Sequence, residues 1–199
     1  MTRVVLIRHA EPHAAAHGRC YGSLDVGLST HGLEQAEALA TRLAHQQLVA
    51  VYASPLRRAL ATAAPLAAAH NLAIEPVEAL REIDFGAFEG LTYDEIAAEY
   101  PSEYRRWMET PTAVHFPGGE SYDLLRTRVV ASVDELRARH EKAAFAVVTH
   151  GGVVRALLAT FLEVPAAAFF RIDQSYCGVT IVDWCDEVPL IRQMNSPFV

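Results

Sequence analysis

Two histidines in this sequence follow short apolar runs, and one of them stands beside an arginine. Residues 4–7 (Val-Val-Leu-Ile) lead directly into Arg8 and His9, and residues 145–149 lead into His150. Apolar runs rich in β-branched residues are typical of buried strands. A cation or an imidazole at the end of such a strand costs free energy unless something binds it. Ligands of open α/β sheets lie at this end of the strands, so these residues are candidates for chemistry.

Further charged residues follow the same logic. Arg58 lies in the first turn of a helix that we expect Ser54-Pro55 to open, and a turn-rich loop carries Glu82 and Asp84. The carboxyl ends of parallel strands share one edge of a sheet, so Arg8, His9, Arg58 and His150 are predicted to meet with a carboxylate nearby. Like charges repel unless an anion lies between them. Guanidinium groups match phosphate bidentately, which makes phosphate the natural anion.

Other sequence features bear on the type of site. Gly151-Gly152 at a helix start offers backbone N–H donors to an anion. The chain has no P-loop lysine motif, no carboxylate cluster for Mg²⁺ and no G-x-S-x-G nucleophile motif. His9, His13 and His17 are spaced four apart, but Pro12 and Gly18 argue against a helix that would align them on a metal. We therefore expect a site without a metal or another cofactor.

The elements that must position these residues alternate along the chain, as is typical of an α/β fold with a largely parallel sheet. We predict a three-layer α/β/α sandwich with a mainly parallel central sheet, a single domain over residues 1–199 and a helical lid-like insertion at about 91–119. Strands are expected at 4–7, 49–53, 145–149, 177–183 and 190–194, with short extended pieces at 72–74 and 80–85. Helices are expected at 29–46, from 54, from the capping box at 92–95, at 102–107, 121–140 and 153–162.

Composition narrows the class of protein. The 199 residues are 51% hydrophobic and carry a net charge of −7, which disfavours nucleic acid as a partner. The cysteines Cys20, Cys177 and Cys185 form no CxxC motif and fit a reduced, cytoplasmic protein. No apolar run approaches the length of a membrane span. We expect a cytoplasmic protein with a small phosphorylated substrate, and the sequence leaves a homodimer open.

Four blocks of sequence resemble the histidine phosphatase (phosphoglycerate mutase-like) superfamily. They occur in the family's order and extend over essentially the whole chain: residues 6–11 (Leu-Ile-Arg-His-Ala-Glu), residues 54–63 (Ser-Pro-Leu-Arg-Arg-Ala-Leu-Ala-Thr-Ala), Glu82 ahead of Phe85-Gly86, and residues 148–152 (Val-Thr-His-Gly-Gly). The resemblance implies that His9 is the nucleophile that becomes phosphohistidine. It implies that Arg8, Arg58 and His150 bind the phosphoryl group, and that Glu82 is the proton donor.

The chain departs from the family pattern in its first loop. Ala10 stands where the family usually has glycine, Pro12 where threonine is common, and Ala15 where an asparagine often contacts phosphate. The core chemistry should survive these changes, but they put mutase activity in doubt.

Within the superfamily, the α-ribazole phosphatases are the nearest resemblance. The loop of residues 18–25 and the segments 170–174 and 194–196 are similar to theirs. The resemblance implies a role in cobalamin (nucleotide loop) biosynthesis, with Tyr21, Gly22 and Gly151 contacting substrate. The aromatic residues between Glu82 and Glu120 fit a flat apolar base, whereas only Arg105 and Arg106 there could bind a substrate carboxylate.

Three other interpretations stay open. A broad-specificity phosphatase and a phosphoglycerate mutase-like phosphotransferase would use the same core residues. A phosphate-binding module that has lost catalysis is the alternative from a different class of protein.

Overall fold

One mixed sheet of six strands forms the centre of the computed structural model, which describes residues 1–196. The end of the predicted 1–199 domain lies outside the described residues. The strands are β1 (Thr2–Arg8), β2 (Leu48–Ala53), β3 (Ile74–Pro76), β4 (Ala144–Thr149), β5 (Val179–Cys185) and β6 (Val188–Ser196). Their order is β3-β2-β4-β1-β5-β6. The first four strands pair in parallel, and β5 and β6 add antiparallel pairs at one edge, which confirms a mainly parallel sheet.

Helices cover both faces of this sheet. They are α1 (Thr30–Leu43), α2 (Arg57–Ala69), α3 (Tyr93–Glu99), α4 (Pro101–Glu109), α5 (Tyr122–Arg139) and α6 (Gly151–Phe161). Apolar side chains of α1 and α2 pack on one face, and those of α5 and α6 pack on the other. The structure thus confirms the three-layer sandwich.

Strand β1 is central and apolar on both sides. Val4 and Leu6 belong to the core under α5 and α6, whereas Val5 and Ile7 belong to the core under α1 and α2. Strands buried on both faces read as continuous apolar runs rather than as alternating ones. β1 pairs in parallel with β4, so their carboxyl ends coincide, and the His9 N–H donates to the Thr149 carbonyl over 2.7 Å.

The predicted extended piece at 80–85 is wrong. A 3₁₀ turn covers Glu78–Leu80, and an irregular segment follows it. The guanidinium of Arg128 on α5 donates hydrogen bonds to the carbonyls of Ala79 and Arg81 over 2.7 Å each and to that of Glu82 over 3.0 Å. Because a side chain satisfies these carbonyls, the segment needs no strand partner.

Two helix starts differ from their predictions. α2 begins at Arg57 rather than at Ser54-Pro55, because the Ser54 hydroxyl is bonded to His150 instead of capping a helix. The Asp25 carboxylate, from the first loop, accepts the Arg57 N–H over 2.7 Å in its place. α6 begins at Gly151, two residues earlier than predicted, which puts both glycines in its first turn.

Residues 91–119, the lid segment, leave the sheet as predicted. α3 starts with the predicted capping box between Thr92 and Glu95, and Pro101 is the first residue of α4. The lid segment and its neighbours share a separate small core of Cys20, Phe88, Ile96, Trp107, Val114 and Phe116. Gly86 joins the segment to the sheet at φ +53°, where a Cβ atom would lie 2.2 Å from the Pro117 carbonyl oxygen.

Cys20, Cys177 and Cys185 are free, and the first two are buried. None of the helices in residues 1–196 is long and apolar enough to span a bilayer.

A buried carboxylate ties the start of β1 to β5 and β6. Asp183, 1% exposed, accepts from Arg3 Nε at 2.7 Å, from Arg3 Nη2 at 2.9 Å and from Arg192 Nε at 3.0 Å. The hydrogen bond from Arg3, together with that from Arg192, lowers the pKa of Asp183 below its ordinary value.

We expect Asp183→Asn to lower the free energy of unfolding by about 1–3 kcal/mol, because charge-assisted hydrogen bonds are lost. A depressed carboxyl pKa stabilises the fold above the unfolded value, about pH 4, and this stabilisation is lost as pH falls through the folded pKa. Urea unfolding of wild type and variant should therefore differ at neutral pH and converge in acid. Asp186→Asn, in the exposed β5–β6 turn, is the control, and equal stabilities of wild type and Asp183→Asn at pH 7 would contradict this account.

Candidate active site

His9 lies at the end of β1 in a state suited to nucleophilic attack. Its ring is 2% exposed, and Nδ1 lies 2.7 Å from the Ala10 carbonyl oxygen. A carbonyl only accepts, so Nδ1 carries the proton and Nε2 keeps its lone pair. Burial, followed by the charges of Arg58 and Arg8, lowers the pKa of His9 well below its ordinary value. The imidazole is therefore neutral at neutral pH.

Arg58 and His150 are fully buried behind His9. The His150 ring centroid lies 5.2 Å from that of His9, and Arg58 Nε donates to His150 Nδ1 over 3.3 Å. His150 Nε2 lies 2.7 Å from Ser54 Oγ, so this nitrogen carries the proton of a neutral ring. Burial and the charge of Arg58 lower the pKa of His150 well below its usual range.

The guanidinium of Arg58 also holds the first loop. Nη1 donates to the Leu24 carbonyl over 2.7 Å, and Nη2 donates to the carbonyls of Tyr21 at 3.2 Å and Gly22 at 2.8 Å. Four of its five N–H groups are thus used within the protein, and one on Nη1 remains. Tyr21 and Gly22 line the cavity in front of His9.

Arg8 keeps donors that have no protein partner. Nη1 donates to the Gln174 carbonyl, and the guanidinium lies 4.0 Å above the ring of Tyr176. Nε is buried without a hydrogen-bond partner among residues 1–196. A buried unsatisfied donor is costly, so an anion bound beside Arg8 would satisfy it. Gly151 packs against this group, since a Cβ there would lie 3.3 Å from Nε.

Glu82 is held at the first turn of α6. Its Oε2 accepts the Gly152 N–H over 2.9 Å and its Oε1 accepts the Ile83 N–H over 3.0 Å. A Cβ at position 152 would lie 2.3 Å from Oε1, so a larger residue there would displace the Glu82 carboxylate. The Gly152 N–H thus donates to the Glu82 carboxylate, whereas the sequence analysis expects it to donate to a bound substrate anion.

These side chains surround one cavity of about 270 Å³. Arg8, His9, Tyr21, Gly22, Glu82 and Gly151 line it, whereas Arg58 and His150 lie behind it. Aromatic residues form much of its outer wall: Phe85, Tyr93, Trp107, Phe116, Tyr122, Phe169 and Phe170. Among the described residues, no group of three or more His, Cys, Asp or Glu side chains is arranged to hold a metal ion.

The fold thus brings together an Arg-His pair at one strand end, a second histidine at the next strand end and a carboxylate that lines the same cavity. Residues 4–197 match the model of the histidine phosphatase superfamily (branch 1). The chain belongs to the histidine phosphatase superfamily.

Members of this superfamily with near-complete overlap include enzymes named for different substrates. Phosphoserine phosphatase 1 of Hydrogenobacter thermophilus is 34% identical over 195 residues, which cover 98% of this chain and 92% of that protein. The structure of YhfR from Bacillus stearothermophilus has a TM-score of 0.94 at 29% identity and covers 100% of this chain and 98% of that one. The α-ribazole phosphatase of Shigella flexneri has a TM-score of 0.88 at 26% identity, with 98% and 96% covered.

The departures from the superfamily pattern are accommodated in different ways. Ala10 is fully buried, and its N–H donates to Thr62 Oγ1 over 2.9 Å. Pro12 pairs with Leu28 across the first loop. Ala15 is exposed in a 3₁₀ turn (Ala14–Ala16) and does not line the cavity. None of the three positions lines the cavity.

Four charged or polar residues in and just after the lid segment do not line the cavity. Glu120 forms a two-point ion pair with Arg128 at 2.7 Å, and Ser121 caps α5. Arg105 and Arg106 are exposed on α4 and do not line the cavity. They are therefore not placed to bind a substrate carboxylate inside it.

Sequence reasoning missed two residues of the site. Tyr176 packs on both Arg8 and His9, and its ring centroid lies 5.7 Å from that of His9. It lies in a loop whose sequence has no motif or hydrophobic periodicity that would mark it. Arg155 lines the cavity beside Glu82. Its spacing gave a signal, because residue i+3 from Gly152 lies on the same face of a helix.

We predict that Glu82→Gln slows hydrolysis of alkyl phosphates by roughly 10²–10⁴-fold and of p-nitrophenyl phosphate much less, since a basic leaving oxygen needs a proton. Steady-state kcat/KM on both substrates is the measurement. Comparing them within one preparation cancels any loss of folded protein. Equal losses on the two substrates would assign Glu82 a purely structural role.

Proposed function

We propose that this protein is a metal-independent phosphomonoesterase that acts through a phosphohistidine on His9. One observation carries the proposal: His9 is neutral, presents a free Nε2 and stands beside two arginines at a cavity that Glu82 also lines. A neutral imidazole next to positive charge is a competent nucleophile toward an anionic phosphoryl group.

The reaction has two balanced steps. In the first, His9 Nε2 forms a bond to phosphorus as the ester oxygen leaves in line and takes the proton of Glu82. In the second, a water attacks phosphorus, gives a proton to the Glu82 carboxylate and frees His9. The free donors of Arg8 and the remaining N–H of Arg58 bind the equatorial oxygens, while His150 holds Arg58 in place.

α-Ribazole 5′-phosphate is the first substrate candidate. The aromatic outer wall of the cavity offers flat apolar faces on which a benzimidazole base could stack, worth roughly 1–3 kcal/mol. The structural similarity to an α-ribazole phosphatase supports the same choice. This candidate places the protein in cobalamin (nucleotide loop) biosynthesis, in the cytoplasm.

A small carboxylated phosphate such as L-phosphoserine is the second candidate. It is supported by the near-complete overlap with a phosphoserine phosphatase at 34% identity. It also needs a cation beyond the phosphate site, and Arg155 meets that need inside the cavity.

The experiment is a substrate panel assayed in EDTA. It contains α-ribazole 5′-phosphate, AMP, L-phosphoserine and 3-phosphoglycerate. We expect inorganic phosphate to be released without added metal, and the highest kcat/KM identifies the substrate class. Isomerisation of 3-phosphoglycerate without phosphate release would instead establish a mutase. No turnover of any compound would contradict the proposal, and binding of inorganic phosphate by the inactive protein would then support a binding module.

A further inference from the structure

Arg155 is a cation of the cavity that the phosphatase chemistry does not use. It lies on α6, three residues after Gly152, so the two share one helix face about 5–6 Å apart. The Gly152 N–H binds Glu82 over 2.9 Å. Arg155 therefore stands on the side of the cavity from which Glu82 protonates the leaving oxygen.

The guanidinium of Arg155 is held in a fixed orientation. Nε donates to the Ile172 carbonyl over 2.9 Å. The central carbon lies 5.6 Å from the ring centroid of Phe169 and 5.2 Å from that of Phe170. One anchored N–H and two flanking rings fix the plane of the group, as recognition of a planar anion requires.

The remaining donors of Arg155 have no acceptor within residues 1–196. Its only hydrogen bond there is the one from Nε, and it has no ion pair with Glu82 or any other carboxylate. Arg19, another cation of the cavity wall, is by contrast bonded to the Gly90 carbonyl at 2.7 Å and to Glu95 at 3.2 Å. Arg155 is thus available to a ligand.

We propose that Arg155 is a specificity residue that binds a carboxylate on the leaving-group side of the substrate, a few bonds from the phosphate ester. This inference rests on the phosphatase function proposed above and narrows its substrate class. L-Phosphoserine and 3-phosphoglycerate have this arrangement, and α-ribazole 5′-phosphate does not. Arg155 lies inside the cavity, unlike Arg105 and Arg106, the two cations that the sequence analysis considers for a substrate carboxylate.

A carboxylate fits better than a second phosphate. The two Nη groups of one guanidinium match the two oxygens of a carboxylate. A second phosphoryl group carries more charge and would need further cations, but Arg8 is engaged at the phosphate site and Arg19 is paired with Glu95. Apart from Glu82, which is bonded to the Gly152 and Ile83 N–H groups, the wall near Arg155 includes the apolar or aromatic residues Leu125, Phe169 and Phe170.

The test uses matched substrates that differ in the carboxylate alone. O-Phosphoethanolamine is L-phosphoserine without its carboxylate, and glycerol 3-phosphate replaces the carboxylate of 3-phosphoglycerate by a hydroxymethyl group. We expect wild type to prefer the carboxylated member of each pair. In Arg155→Gln, this kcat/KM ratio should fall by about 10- to 100-fold, because a charge-assisted bidentate contact is lost. Arg155→Lys should retain part of the preference.

The ratio is measured within one preparation, so partial unfolding of a variant does not affect it. Arg105→Gln, which changes an exposed arginine outside the cavity, is the matched control and should keep the wild-type ratio. A wild type without preference for the carboxylated members, or an Arg155→Gln variant with an unchanged ratio, would overturn the role of Arg155. If wild type releases phosphate from α-ribazole 5′-phosphate or AMP but from none of these four compounds, the role of Arg155 is overturned and the phosphatase function stands. Failure to release phosphate from all six compounds would contradict the phosphatase function instead.

Discussion

The whole site depends on burying the charge of Arg58. This guanidinium is fully excluded from solvent, and isolated charges are not tolerated there. The carbonyls of the first loop and the neutral His150 solvate it. The first loop must therefore wrap around Arg58, and Asp25 fastens the same loop to the start of α2. The shape of the cavity floor follows from this one requirement.

The same charges set the state of the nucleophile. Arg8 and Arg58 oppose a third positive charge nearby, and burial acts in the same direction, so His9 stays neutral. The Ala10 carbonyl decides which nitrogen carries the proton. The two arginines make the surroundings of His9 positive, so the field that keeps His9 unprotonated would also attract an anionic substrate. Net charge of the chain, −7, has no bearing on this local field.

Much of this could be predicted from sequence because it rests on local patterns. Apolar runs that end in Arg8-His9 and in His150 mark strand ends, and parallel pairing brings them together. Arg58 followed from the same α/β order. The role of Glu82 came from a family resemblance, and the fold places Glu82 at the same cavity.

What could not be predicted depends on partners distant in the chain. The sequence predicts a short extended piece at 80–85, but Arg128, 46 residues after Glu82, donates to the carbonyls of this segment. Tyr176 reaches His9 from a loop near the other end of the chain. Arg155 is surrounded in sequence by apolar residues of α6, and its spacing from Gly152 is the one sequence signal that it faces the cavity.

Trapping the phosphoenzyme tests the central claim most directly. Wild-type protein is mixed briefly with a ³²P-labelled monophosphate, quenched in alkali and digested for mass spectrometry. This account predicts an acid-labile, alkali-stable phosphoryl group on His9 that is absent from His9→Ala and retained in His17→Ala, a nearby exposed histidine. Phosphate release from wild type without a labelled intermediate, or labelling that persists in His9→Ala, would contradict it.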